Sequence, residues 1–231
     1  MRPSIGITTS LDDGSQCLDR RYVAAVERAG GLPLPLPMLE TEEAYADLVA
    51  QLDGLVVIGG PAVTEHLVGT LPDGLGTLSS DRAASDRAWI EQCWAAGLPI
   101  LGICYGMQRL NALAGGTIYG DVEREHDGAL AHSQHRGGTT HTVHIDPASR
   151  LHELLGTDTI TVNTRHFQAI DSVGDGFSAV ATAPDGVIEA IEHEDGRILG
   201  VQFHPERMGD AMQPLFQFLV TQAGTAVSTH S

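Results

Sequence analysis

Lysine is absent: all 13 basic residues of this 231-residue chain are arginines. That excludes a P-loop lysine, a Schiff-base lysine and a Ser–Lys dyad, since each needs the amine itself. Basic charge is scarce altogether. Against 30 acidic residues it leaves a formal net charge of −17, so no nucleic-acid partner is expected, because phosphate binding needs a basic footprint. The acidic excess otherwise reads as solvated surface. Cysteine is sparse and odd in number, Cys17, Cys93 and Cys104 only, which makes no disulfide framework. No apolar run is long enough to span a membrane, and the opening Met1-Arg2-Pro3-Ser4-Ile5-Gly6 has no apolar leader core. A soluble, cytoplasmic protein is expected. Repeats and low-complexity segments are missing too. Hydrophobic residues make up 42% of the chain, enough for a proper core, and no composition break divides it. One domain over residues 1–231 is therefore expected.

What is present is an alternation of strands and helices. Ser4 to Thr8 reads as a strand, Arg21 to Ala29 as a helix stopped by Gly30-Gly31, and Leu32 to Pro37 as a proline-rich edge or connector. Thr41 caps a second helix, and Gly54 to Ile58 is a continuous apolar strand of the kind buried on both faces. Ala62 to Ser80 reads as loop, Asp81 to Ala95 as a helix capped at Ser79 or Ser80, and Thr117 to Tyr119 as a short strand. This order argues for a mostly parallel central sheet with helices on both faces. Beyond Gly120 the texture changes. Thr140–Ile145, Thr159–Val162, Ser178–Thr182, Gly186–His193 and Leu199–Phe203 are short strands joined by turns, read as antiparallel or mixed additions to the same sheet. A helix over Ala211–Thr221 closes the fold.

One stretch carries chemistry. Pro99 to Ile103 is a short apolar strand, Cys104 sits in Gly102-Ile103-Cys104-Tyr105-Gly106, and a helix follows. Gly-x-Cys-x-Gly is the cysteine form of a nucleophile elbow. The helix N-terminus behind the sulfur favours a thiolate. The competing reading is a buried structural cysteine. A thiol nucleophile needs a base and a group to orient that base. His204-Pro205-Glu206, just past an apolar strand, supplies both, and strand ends are where open α/β sheets place their sites. Oxyanion donors are expected from the amide of Tyr105 and from Gly59-Gly60, specifically Gly60, although Gly-Gly can be only a tight turn. A cluster of histidines, His126, His132, His135, His141 and His144, lacks any recognised zinc spacing. It reads as a polar loop near the site's mouth, and neither metal nor cofactor is expected.

Together these residues resemble the class I glutamine amidotransferases, whose sheet is flavodoxin-like. Within that superfamily the chain is most similar to the γ-glutamyl-γ-aminobutyrate hydrolase group, peptidase family C26. The similarity rests on Ile5-Gly6-Ile7-Thr8, Ala29-Gly30-Gly31-Leu32-Pro33, Leu52-Asp53-Gly54-Leu55, Asp86-Arg87 and Gly115-Gly116-Thr117. It extends through Val162 to Ile170, Pro184 to Ala190, and Gly200 to Glu206. The resemblance implies that Cys104 is the nucleophile, His204 the base and Glu206 its orienter. It further implies that Gln108 holds the glutamyl part, and that the backbone at His166, Phe167 and Gln168 takes its α-amino and α-carboxylate groups.

Two features depart from the group. Tyr105 stands where many members have arginine, and Gly102 to Gln108 instead resembles the glutaminase domain of guanylate synthetases. Pro61-Ala62-Val63-Thr64-Glu65 replaces a glycine and an acidic stretch. The implied activity is a hydrolase releasing glutamate and an amine from a small γ-glutamyl amide, alone or as a homodimer. A glutaminase feeding ammonia to a synthase partner is the alternative, and a non-enzymatic binding domain a third reading that the complete Cys104, His204, Glu206 set disfavours.

Overall fold

A computed structural model describes residues 2–73 and 79–227. In chain order it runs β1 (Ser4–Ile7), β2 (Ser10–Asp12), β3 (Ser15–Cys17), α1 (Arg20–Arg28), β4 (Leu32–Pro35), α2 (Glu42–Val49), β5 (Gly54–Val57), β6 (Leu67–Val68) and α3 (Ser80–Ala95). There follow β7 (Ile100–Ile103), α4 (Tyr105–Leu113), β8 (Thr117–Tyr119), α5 (Val122–Glu125), β9 (Thr140–Ile145), α6 (Arg150–Leu155) and β10 (Thr159–Asn163). β11 (Ala169–Ser172), β12 (Phe177–Thr182), β13 (Ile188–His193), β14 (Ile198–Val201) and α7 (Gln213–Val227) complete it.

Nine strands form the main sheet in the order β10-β9-β12-β13-β14-β7-β5-β1-β4. Its parallel members, β4-β1-β5-β7-β14, have the 2-1-3-4-5 order of flavodoxin-like sheets. Four antiparallel strands extend the β14 edge. β5, β7 and β14 are buried along their whole length, which is why their sequences are unbroken apolar runs. One face packs on α1 and α7 through Tyr22, Val26, Leu215 and Phe216. The other packs on α2, α3 and α4 through Tyr45, Trp89, Ile90 and Met107.

Two proline positions put β4 at the edge, as expected of a segment that lacks ladder donors. Thr41 and Ser79 cap α2 and α3 with their hydroxyls.

β14, expected as an antiparallel or mixed addition, is the mixed case, parallel to β7 and antiparallel to β13, and so is the last parallel strand and the seam between the two halves. Several sequence expectations are corrected. β8 leaves the main sheet and joins β11 and β6 in a small one. The segment 62–80, read as loop, contains β6, while 74–78 lie outside the described residues. The last helix starts at Gln213, because Gly209–Met212 forms a 3-10 turn first. Among the described residues no helix is long and apolar enough to cross a membrane.

Candidate active site

β7 ends at Ile103 and α4 begins at Tyr105, so Cys104 alone makes the turn, with φ 54° and ψ −107°. A non-glycine residue at positive φ is strained, and such strain gathers at functional sites. The flanking glycines are steric requirements. A Cβ on Gly106 would lie 2.2 Å from the Val57 carbonyl oxygen, and one on Gly102 would lie 2.8 Å from the carbonyl carbon of Gly106. The Cys104 amide donates to the Val201 carbonyl at 2.7 Å, locking the elbow to β14.

His204 stands beyond the end of β14, before a 3-10 turn over Pro205–Arg207. Its Nδ1 is 2.9 Å from Glu206 Oε1. Burial alone would lower the pKa of His204, but the charge of Cys104 and hydrogen bonds with Cys104 and Glu206 raise it to about 10. The imidazole is therefore held as the cation beside the sulfur. Asn163 fixes its backbone from both sides, donating to the His204 carbonyl at 2.8 Å and accepting from its N–H at 3.0 Å.

A narrow cleft above Cys104 is lined by Gly60, Gln108, His166, Phe167 and Gln168, together with Pro61 and Arg165. The structure thus gathers every expected substrate-facing residue. It also shows what each is already doing. The side-chain amide of Gln108 donates to the Gln168 carbonyl and to Gln202 Oε1, both at 3.0 Å. Gln168 clamps the Val63 backbone with its side chain, at 2.7 and 2.9 Å. The Phe167 carbonyl accepts from the Val122 amide at 2.8 Å. Much of the 166–168 polarity is thereby committed to holding the cleft's shape. Tyr105 is fully buried, its ring against Gly60 and beneath the Arg82 guanidinium at 4.9 Å, so only its main chain can serve the cleft.

Four supporting residues escaped the sequence reading. Gln202 donates from its amide to Cys104 Sγ at 3.5 Å and continues a relay from Gln108. Tyr22 accepts from the Gly59 amide at 3.2 Å, and the neighbouring Glu206 carboxylate helps burial hold its hydroxyl protonated. Arg82 donates to the Gly59 carbonyl at 2.8 Å and pairs with buried Asp86 at 3.2 Å. Asn163 is the fourth. Gln202, two residues before His204, and Asn163, three before His166, lie in stretches that carry the resemblance; Tyr22 and Arg82 come from distant elements.

The histidines expected on a polar loop divide. His135 and His144 are exposed, but His132 is buried, His141 is partly buried, and both meet His166 and Glu189 behind the cleft. Their physical reason is Glu189 on β13, whose carboxylate is completely buried and needs partners. Burial would raise the pKa of Glu189; His141 and His166 outweigh it and hold the carboxyl below its usual range.

Strained cysteine, imidazole and carboxylate at the carboxyl ends of parallel strands define the class I glutamine amidotransferase-like architecture. A Thermoplasma acidophilum protein described as a component of GMP synthase has the same fold, with TM-score 0.69 and 16% identity over 100% of this chain and 98% of that one. The Peptidase C26 family model matches residues 3–206, and the chain belongs to that family. Protein NtpR of Enterococcus hirae is 35% identical, covering 96% of this chain and 100% of that protein. The γ-glutamyl-γ-aminobutyrate hydrolase PuuD of Escherichia coli is 30% identical, covering 83% of this chain and 79% of its own. A Mycobacterium tuberculosis protein provisionally named a glutamine amidotransferase is 34% identical, covering 96% and 75%.

Proposed function

We propose that this chain hydrolyses the γ-glutamyl amide bond of a small γ-glutamyl amine, releasing glutamate and the amine. The observation that carries the reading is the strained Cys104 facing an imidazole that Glu206 holds by Nδ1 at 2.9 Å. Cys104 reacts as the thiolate of a pair in which His204 already holds the proton, and its sulfur adds to the γ-carbonyl carbon. The oxyanion forms against the amides of Tyr105 and Gly60. As the C–N bond breaks, His204 returns the proton to the leaving amine, and a γ-glutamyl thioester remains on Cys104. Water, deprotonated by His204, adds to the thioester, and glutamate leaves. Gln108 and the backbone at His166, Phe167 and Gln168 position the glutamyl group, and Arg165 is the cationic side chain available to its α-carboxylate. The kinship with a γ-glutamyl-γ-aminobutyrate hydrolase supports this substrate class.

A second reading has its own support: Tyr105 and Pro61 line or flank the site as in glutaminase domains, and the fold matches that of a GMP synthase component. Under it the chain would cleave glutamine for a separate synthase. The purified chain is incubated alone with glutamine and, separately, with a panel of γ-glutamyl amines, following glutamate release. Rapid release from a γ-glutamyl amine, with little from glutamine and none from Cys104→Ala, is expected. Little release from any of them, with Cys104 still alkylated readily, would replace the first reading by the second. Retained turnover by Cys104→Ala would end both.

A further inference from the structure

Three imidazoles converge on one buried carboxylate oxygen. His141 Nε2 lies 3.0 Å, His166 Nε2 3.5 Å and His132 Nδ1 3.8 Å from Glu189 Oε1. None of these approaches has hydrogen-bond geometry. His132 Nδ1, both ring nitrogens of His141, His166 Nε2 and both Glu189 oxygens are buried without a hydrogen-bond partner. Unpaired buried polar atoms are costly, and six in one place call for a cause.

The outer partners fix which ring atoms face inward. His132 Nε2 is 2.8 Å from Asp185 Oδ2, a carboxylate that also accepts from the Leu130 amide, so Nε2 carries the proton and Nδ1 presents a lone pair. His166 Nδ1 is 2.9 Å from the Gln168 carbonyl, which can only accept, so Nε2 presents a lone pair too. Two imidazole lone pairs and a carboxylate therefore point at one another. The carboxylate behind His132 and the backbone carbonyl behind His166 are the kind of outer partner that orients metal-binding histidines.

We infer that His132, His141 and Glu189 bind a divalent transition-metal ion of the zinc class, with His166 completing the set. One ligand atom from each of the first three lies within 4.8 Å of the others. Metal–ligand bonds of about 2.0–2.1 Å in a tetrahedron give ligand–ligand edges of roughly 3.3 Å, close to the 3.0, 3.5 and 3.8 Å from the imidazole nitrogens to Glu189 Oε1. Imidazole-rich sets suit zinc, cobalt or nickel; calcium and magnesium demand oxygens. The ion ties β9, β13 and the segments around 132 and 166 together. His166 and its neighbours also wall the cleft over Cys104, so the site is a clip behind the substrate pocket. This inference does not depend on which amide is cleaved.

An extra proton on an imidazole would relieve the same conflict, and the experiment separates the two. The full chain, without an affinity tag and carrying Cys104→Ala to remove thiolate binding, is stripped with a chelator and titrated with Zn²⁺ or Co²⁺. Expected are one ion per chain after gel filtration, intense visible bands of four-coordinate Co²⁺, and a higher Tm with Zn²⁺. Glu189→Gln and His141→Gln should each fall below about a tenth of an ion, while His144→Gln, exposed on the same strand, keeps one. No stoichiometric uptake and no cobalt bands would overturn the inference, as would equal uptake by Glu189→Gln. Should Glu189→Gln fail to fold, the cobalt spectrum of the parent chain decides alone.

Discussion

The molecule uses histidine and glutamate twice, in opposite ways. At the end of β14 one imidazole faces one carboxylate at 2.9 Å on one side and a sulfur on the other, and its ring is held as a cation. Behind the cleft, three imidazoles crowd one carboxylate, and His132 has its pKa pushed down by burial and by His166. The difference lies in the third partner. Cys104 next to His204 rewards a proton on the ring; a neighbouring imidazole at His132 penalises one. Pairing a histidine with a glutamate thus says nothing about its chemistry until the remaining neighbours are known.

The sharpest way to break this comparison is at His204. His204→Ala should lower kcat by roughly a thousandfold or more, since under the proposed mechanism it removes the proton carrier of both half-reactions. Glu206→Gln should be about one to two orders of magnitude milder, because a positioning group acts through the imidazole. Steady-state kinetics on whichever substrate the proposed assay selects checks both. Equal losses would mean that Glu206 does more than orient.

The two groups also differ in how well a sequence discloses them. Cys104 and its glycines are contiguous because a strand–helix turn is a local object, and His204 and Glu206 are two residues apart. The parallel half of the sheet was legible for the same reason: strands buried on both faces are unbroken apolar runs. Glu189, by contrast, looks like one polar residue in an alternating strand, and its histidines are 23 to 57 positions away. The antiparallel pairing of β9, β12 and β13 brings His141 to Glu189, and His132 and His166 arrive on segments between strands that bond to each other; neither arrangement is written locally. The β2–β3 hairpin was missed although its turn is Asp13-Gly14, both at positive φ; three-residue, mostly exposed strands give no alternation to read.

A smaller effect sharpens the electrostatic half of the contrast. The Cys104 charge is the foremost of the influences that raise His204, so Cys104→Ala should bring its pKa from about 10 back toward the ordinary ~6.5. NMR titration of the imidazole checks it; a value still near 10 in the variant would assign the shift to Glu206. The sign for stability follows. A pKa raised on folding adds stability that is complete below the unfolded value and is lost as pH rises through the folded one. The stability advantage of the parent chain over Cys104→Ala should therefore be greatest near neutrality and shrink between roughly pH 7 and 10. Denaturant unfolding across that range measures it, and a gap that widens with pH would reverse the argument.

The mildest change tests how much rigidity the Cys104, His204, Glu206 grouping borrows from outside itself. Tyr22 on α1 accepts the Gly59 amide at 3.2 Å and lies beside Glu206, and a Cβ on Gly59 would already come within 2.9 Å of His204 Cε1. The hydroxyl thus fixes the strand end that the imidazole packs against. Tyr22→Phe keeps the ring in the core and removes only that oxygen, leaving the Gly59 N–H unpaired at a cost of about 1 kcal/mol. Because the Nδ1–Glu206 contact survives, kcat should drop less than tenfold, well short of the Glu206→Gln effect. A larger loss in kcat than in Glu206→Gln would move Tyr22 from support of the strand end to control of the carboxylate itself. His204 would then depend on its third neighbour on this side as much as it does on the sulfur.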